Sequence, residues 1–160
     1  MKAPKIILSI AILFLAQTLT NGQVYYFNIV QLQKTYILDT SPTNFFAART
    51  FCEQNGASLV KPGSKWERDI LLAIIRPSYN VWLGVRTHFA TTPTRFDNGE
   101  QIRNIEWSRG HPRWEGGCVS MVMTPGGTYQ TIACHKVADF LKFVFREQLP
   151  LVLCEEPMRH

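Results

Sequence analysis

Four cysteines, Cys52, Cys118, Cys134 and Cys154, constrain this chain of 160 residues more than any other feature. They follow an amino-terminal stretch, "MKAPKIILSIAILFLAQTLTNG", in which Lys2 and Lys5 precede an apolar run from Ile6 to Leu15. Basic, then apolar, then small and polar is the order of a secretory signal peptide. The apolar run is shorter than the roughly 20 residues that a bilayer span needs. We therefore expect residues 1–22 to be a leader and residues 23–160 to be one secreted domain with no membrane span. In an oxidising compartment an even cysteine count implies two disulfides, with three pairings open. No C-x-x-C occurs, so the spacings do not suit a zinc site.

Without Lys2 and Lys5, 15 basic residues face 12 acidic ones, leaving a mature charge of about +3. The basic residues are scattered rather than striped, which argues against a nucleic-acid partner. About 138 residues are enough for one domain with a substantial core. No N-x-Ser/Thr sequon is present, so no N-glycan is expected.

Strand and helix signals alternate in an α+β pattern. "VYYFNIV" (24–30) and "TYILDT" (35–40) are rich in β-formers. "SPTNFFAARTFCEQNG" reads as a helix capped by Ser41 or Thr43 and stopped by Gly56, with Phe45, Ala48 and Cys52 on one buried stripe. "ASLV" (57–60) is a short strand. A second helix opens at Ser64, whose spacing to Glu67 fits a capping box. Its inner face is expected at Trp66, Ile70, Ala73 and Ile74, with Glu67 and Asp69 as ordinary surface charges and Pro77 as its end. "VWLGV" (81–85) reads as a strand buried on both sides. Arg86 to Gly117 then forms a long polar loop with Pro93, a "DNG" turn at 97–99 and Pro112, broken only by "IEW". Loops of that length in a compact domain are commonly functional. "CVSMVM", "TYQTIAC" and "LVLCEE" close the domain as strands.

The succession "FFAARTFC", "ASLV", "WERDILLAI", "VWLGV", "IEW", "GHP", "GGCVSM", "AC" and "LVLCEE" resembles the C-type lectin-like domain. The likeness covers essentially the whole of residues 23–160, in order. It implies the disulfides Cys52–Cys154 and Cys118–Cys134, two helices with small antiparallel sheets, and a long loop that carries ligands. In sugar-binding members a Glu-Pro-Asn or Gln-Pro-Asp with a cis proline and a later Trp-Asn-Asp hold calcium and the sugar. Here those motifs align with His111-Pro112-Arg113 and Tyr129-Gln130-Thr131. Calcium needs six to eight oxygen ligands, carboxylates among them. His111 offers nitrogen, Arg113 brings a positive charge, and only Glu115 or Glu106 could supply a carboxylate. A calcium cofactor is therefore not expected, while Pro112 is expected to keep a cis peptide as a structural turn. The 19 residues between Cys134 and Cys154 also exceed the family's usual length, and this insert carries Lys136, Lys142 and Arg146.

The candidate ligand-binding residues are therefore Arg109, His111, Arg113, Trp114, Glu115 and Gln130. Trp114 suits stacking on a sugar face, and Arg109, His111 and Arg113 suit hydroxyls or an anionic group such as sulfate or carboxylate. The bland alternative packs Trp114 under the loop and leaves the arginines solvated. Trp107 is assigned to the core beneath the loop. The mixture of aromatic and arginine residues equally suits an extracellular protein ligand. Catalysis is not expected: there is no paired-carboxylate, Ser/His/Asp or metal motif, and adjacent Cys134 and His135 would point apart on a strand. His88 and His160 stand alone. The leading expectation is calcium-independent recognition of a glycan or protein. Calcium-dependent sugar binding through unusual ligands, and a structural domain with no glycan ligand, are the alternatives.

Overall fold

The computed structural model describes residues 22–75, 79–86, 95–96, 99, 101–102, 105–113, 117–123, 126–135 and 150–158. Residues 1–21 of the leader, Pro77, His88, Pro93, Trp114, Glu115, residues 136–149 of the insert and His160 lie outside them. The elements run β1 (Val24–Ile29), β2 (Lys34–Asp39), α1 (Phe45–Gln54), β3 (Ser58–Leu59) and α2 (Lys65–Ile74). They continue with β4 (Asn80–Arg86), β5 (Arg95–Phe96), β6 (Cys118–Val122), β7 (Tyr129–Ile132) and β8 (Val152–Pro157).

Two four-stranded antiparallel sheets result, in the orders β1-β2-β8-β3 and β5-β4-β6-β7. They meet where Leu151 donates its N–H to the carbonyl of Asn80 (2.8 Å) and accepts from Trp82 N–H (3.0 Å). Alternation along the strands then feeds two cores. Tyr36, Leu38, Leu83, Val85, Leu151 and Leu153 face one, while Ile37, Trp82, Val152 and Cys154 face the other. The expected burial of "VWLGV" on both sides holds for Val81 through Val85. Gly84 is required there, because a Cβ would stand 2.9 Å from the Leu59 carbonyl oxygen.

Both disulfides are the pair that the resemblance implied. Cys52–Cys154 closes a span of 102 residues and Cys118–Cys134 one of 16. Restricting the unfolded chain stabilises the domain by about 4.7 and about 3 kcal/mol respectively in the chain-entropy account.

Helix α1 buries Phe45, Ala48 and Cys52 as expected, and the chain leaves it through Gly56 at φ +71°. Its cap is Asn44, not Ser41 or Thr43: the Asn44 side chain accepts from Ala47 N–H at 3.0 Å. Upstream, Ser41 N–H donates to Asp39 Oδ1 and the Thr43 carbonyl accepts from Trp82 Nε1–H, both at 2.8 Å.

Helix α2 is rotated from the expected orientation. Its buried residues are Glu67, Arg68 and Leu71, while Trp66 is 54% exposed, Ile74 is 37% exposed and Ala73 is exposed. One residue is 100° of helix, so a one-place shift moves the whole stripe. Glu67 causes it. Its Oε1 accepts from Tyr36 Oη–H (2.7 Å) and Lys34 Nζ (2.7 Å), and its Oε2 from Gly63 N–H (2.9 Å). Ser64 does accept from Glu67 N–H, at 3.1 Å, but Glu67 reaches Gly63 and the core rather than returning to Ser64.

Lys34 also reaches Glu155 at 3.1 Å, so one ammonium serves two carboxylates. Burial alone would lower the Lys34 pKa; the hydrogen bonds and charges of Glu67 and Glu155 outweigh it and raise the value. Burial raises Glu155 despite Lys34, and burial with the Glu67 bond raises the Tyr36 phenol. Replacing Lys34→Met leaves two carboxylates without their cation. Urea unfolding at pH 7 should show a loss of about 2–3 kcal/mol, below the fully buried case because the ammonium is partly exposed. The loss should shrink at pH 4, because burial raises the Glu155 pKa and its charge is lost there. An equal loss at both pH values would mean that packing, not charge, is the cause.

Candidate functional site

The loop that leads into Cys118 is hung on β7 by its backbone. Tyr129 N–H donates to Glu106 O and Ser108 N–H to Tyr129 O, both at 2.8 Å, so Trp107 bridges Tyr129 in parallel. The hydroxyls of Ser108 and Thr128 add a 2.7 Å contact. Trp107 is half-buried against the core, edge-on to Tyr129, as its sequence context suggested. From below, the buried Arg68 of α2 donates to Glu106 Oε1 at 3.2 Å and lies over the Tyr129 ring at 5.7 Å. Neither Arg68 nor Glu106 carried a signal for this role in the sequence; each partner lies in another element.

Beyond Ser108 the chain turns sharply. His111 N–H donates to Ser108 O at 2.9 Å, with Gly110 at φ +80°, a turn that needs glycine at its third position. Arg109 is thereby exposed at the tip. The His111–Pro112 peptide is cis, as expected.

Three hydrogen bonds then fasten this turn to Thr131. Thr131 N–H donates to His111 Nδ1 at 3.0 Å, the Thr131 hydroxyl meets the same nitrogen at 2.9 Å, and Arg113 N–H donates to Thr131 Oγ1 at 2.7 Å. A backbone N–H can only donate, so Nδ1 carries its lone pair inward and the ring proton sits on Nε2. Thr131 itself is buried. The two stretches singled out by alignment are therefore in contact, through His111 and Thr131. Gln130 alternates to the other face of β7. Arg113 is exposed.

Chemically this is a cluster of donors. His111 Nδ1 and Thr131 Oγ1, the polar atoms in the place where the resemblance would put calcium ligands, are already occupied by each other and by Arg113 N–H. Calcium requires six to eight oxygens, and the described residues do not fit that demand. Among the described residues no group of three or more His, Cys, Asp or Glu side chains is placed to hold a metal. Cys134 is in a disulfide and His135 lies against Phe46.

The family model for the lectin C-type domain matches residues 41–141. The chain belongs to the C-type lectin family. C-type lectin 37Db of Drosophila melanogaster is 27% identical over 124 residues, 72% of this chain and 80% of that protein. Among solved structures, the mouse scavenger receptor C-type lectin carbohydrate-recognition domain superposes with a TM-score of 0.67 at 16% identity, covering 84% of this chain and 96% of that one. The corresponding domain of cow CD23 gives 0.64 at 18% identity, with 86% and 95% covered. These structures show the shared fold. The C-type lectin fold is a binding fold and not an enzymatic one, and no helix among the described residues is long and apolar enough to cross a membrane.

The latch between His111 and Thr131 needs an unprotonated Nδ1. Burial, and then the charge of Arg113, lower the His111 pKa below the ordinary value of about 6.5. An opened loop thus binds the proton more tightly than the latched one. The latch stands in full above pH 6.5 or so and weakens as pH falls through the depressed value. In an NMR titration from pH 7.5 to 4.5, the Thr131 amide should lose its exchange protection in one step at the acid end. Protection that persists after His111 titrates would show that the latch does not depend on the neutral ring.

Proposed function

We propose that this is a secreted, calcium-independent C-type lectin: a leader at residues 1–22, and a domain at 23–160 that binds a carbohydrate on the loop around Arg109, His111 and Arg113 without transforming it. Trp114 is proposed to contribute to the same site from the sequence alone. The observation that carries the reading is the His111–Thr131 latch, which takes up Nδ1 and leaves the ring N–H beside the exposed Arg109 and Arg113 in the sequence. Family membership, a fly relative named as a lectin, and a bovine relative solved in the presence of an oligosaccharide support the choice of glycan. Four cysteines in two bridges suit an oxidising, extracellular setting.

A glycan array screened with the oxidised domain, in calcium and in EDTA, tests this directly. Binding is expected under both conditions and should be equal. Binding that vanishes in EDTA would restore a metal site built partly from carboxylates such as Glu115. Silence under both conditions would favour a protein ligand.

A further inference from the structure

We propose that the group recognised on this loop is an oxyanion, the sulfate or carboxylate of an acidic glycan, held by His111 Nε2–H together with the guanidinium groups of Arg109 and Arg113. The inference rests on the calcium-independent lectin reading and adds the chemical class of the ligand.

Three features of the latch lead there. First, the Thr131 N–H fixes the His111 tautomer, so the ring atom left for a ligand is an N–H. An unlatched histidine could offer a donor or an acceptor; this one offers a donor only. Second, Thr131 Oγ1 accepts from Arg113 N–H and directs its own proton at His111. The Thr131 hydroxyl is thus engaged on both sides and, being buried, is not presented to a ligand. Third, Arg109 and Arg113 are both exposed, and among the described residues neither has a carboxylate within ion-pair distance. Glu106, the described carboxylate closest to them in the chain, is engaged by Arg68.

The balance decides the ligand. A sugar hydroxyl donates and accepts, so a site for neutral sugars needs acceptors as well as donors. A sulfate or carboxylate only accepts, and it forms its strongest hydrogen bonds with guanidinium groups, which bind it through two parallel N–H bonds. Two arginines and a fixed imidazole N–H around one turn supply donors and positive charge. The lowered pKa of His111 agrees with this, since the ring donates while neutral.

The test uses the oxidised domain in EDTA with three hexasaccharides: chondroitin sulfate, its desulfated form, which keeps the carboxylates, and the desulfated form with carboxyls reduced. Calorimetry should show binding of one or both acidic forms and at least tenfold weaker binding of the neutral one. Which acidic form wins separates sulfate from carboxylate. Arg113→Gln keeps the backbone N–H that caps Thr131, so it should fold normally and weaken binding about tenfold, the size expected for a hydrogen bond to a charged group. Arg49→Gln, on the exposed face of α1, should change little. In ¹⁵N spectra the His111 Nε2–H resonance should shift on addition of the acidic probe.

Equal binding of all three probes would overturn the oxyanion but leave the calcium-independent lectin standing. No binding of any glycan in EDTA would remove both readings. Equal losses in Arg49→Gln and Arg113→Gln would reduce the effect to diffuse charge and overturn the site. A sulfotyrosine peptide that binds through Arg113 where the glycans do not would overturn the glycan and point to a protein.

Discussion

The fold depends on one short crossing. Leu151 bonds to Asn80 and Trp82 at the start of β4, and from there β8 runs on between β2 and β3. That contact joins the two sheets, together with the bond from Gly84 N–H to Val60 O (3.0 Å), and it comes just before Cys154 ties β8 to α1. Because β4 and β8 each face both ways, Trp82 and Leu151 are buried at the crossing and the two strands supply side chains to both cores. A backbone so enclosed must satisfy its own polar groups, which is why the crossing is made by paired N–H and C=O groups rather than by side chains.

The loop inherits its position from that frame. Strand β7 pairs with β6, and β6 with β4, so the edge that receives Glu106, Ser108 and His111 is fixed by the core rather than by the loop. Arg68 reaches the same edge from α2, in contact with Tyr129 and Glu106. Its guanidinium is almost wholly buried, and its Nε has no partner among the described residues. Burying a cation there is costly, and the Tyr129 face and Glu106 offset part of that cost.

Much of this was legible in the chain. The stripe of Phe45, Ala48 and Cys52 was readable because all three are small or apolar and lie at helical spacing. The two-sided burial of "VWLGV" was readable from an unbroken apolar run. The second helix was not. Trp66, Ile70, Ala73 and Ile74 make an apolar stripe at helical spacing, and the tertiary structure turns most of it outward because Glu67 is drawn inward. Apolar periodicity carries no information about a buried carboxylate whose partners are Lys34 and Tyr36, more than 30 residues earlier. The cap of α1 was misplaced because Ser41, Thr43 and Asn44 are all competent residue types, and only Asn44 stands directly before the first helical residue, where its Oδ1 reaches Ala47 N–H.

By itself, the sequence determined the class of fold, the family, and the helices and strands in order except β5, which lies inside the expected polar loop. These follow from local spacing and from residue types that one chemical role requires. Only the tertiary structure decided which way α2 faces and what His111 does. Thr131 lies 20 residues beyond His111, and nothing in either neighbourhood shows that its N–H will meet an imidazole nitrogen. A ring that could have been a ligand, an acid or a bystander becomes a fixed donor because a distant backbone amide, held by a sheet, has already taken its other nitrogen.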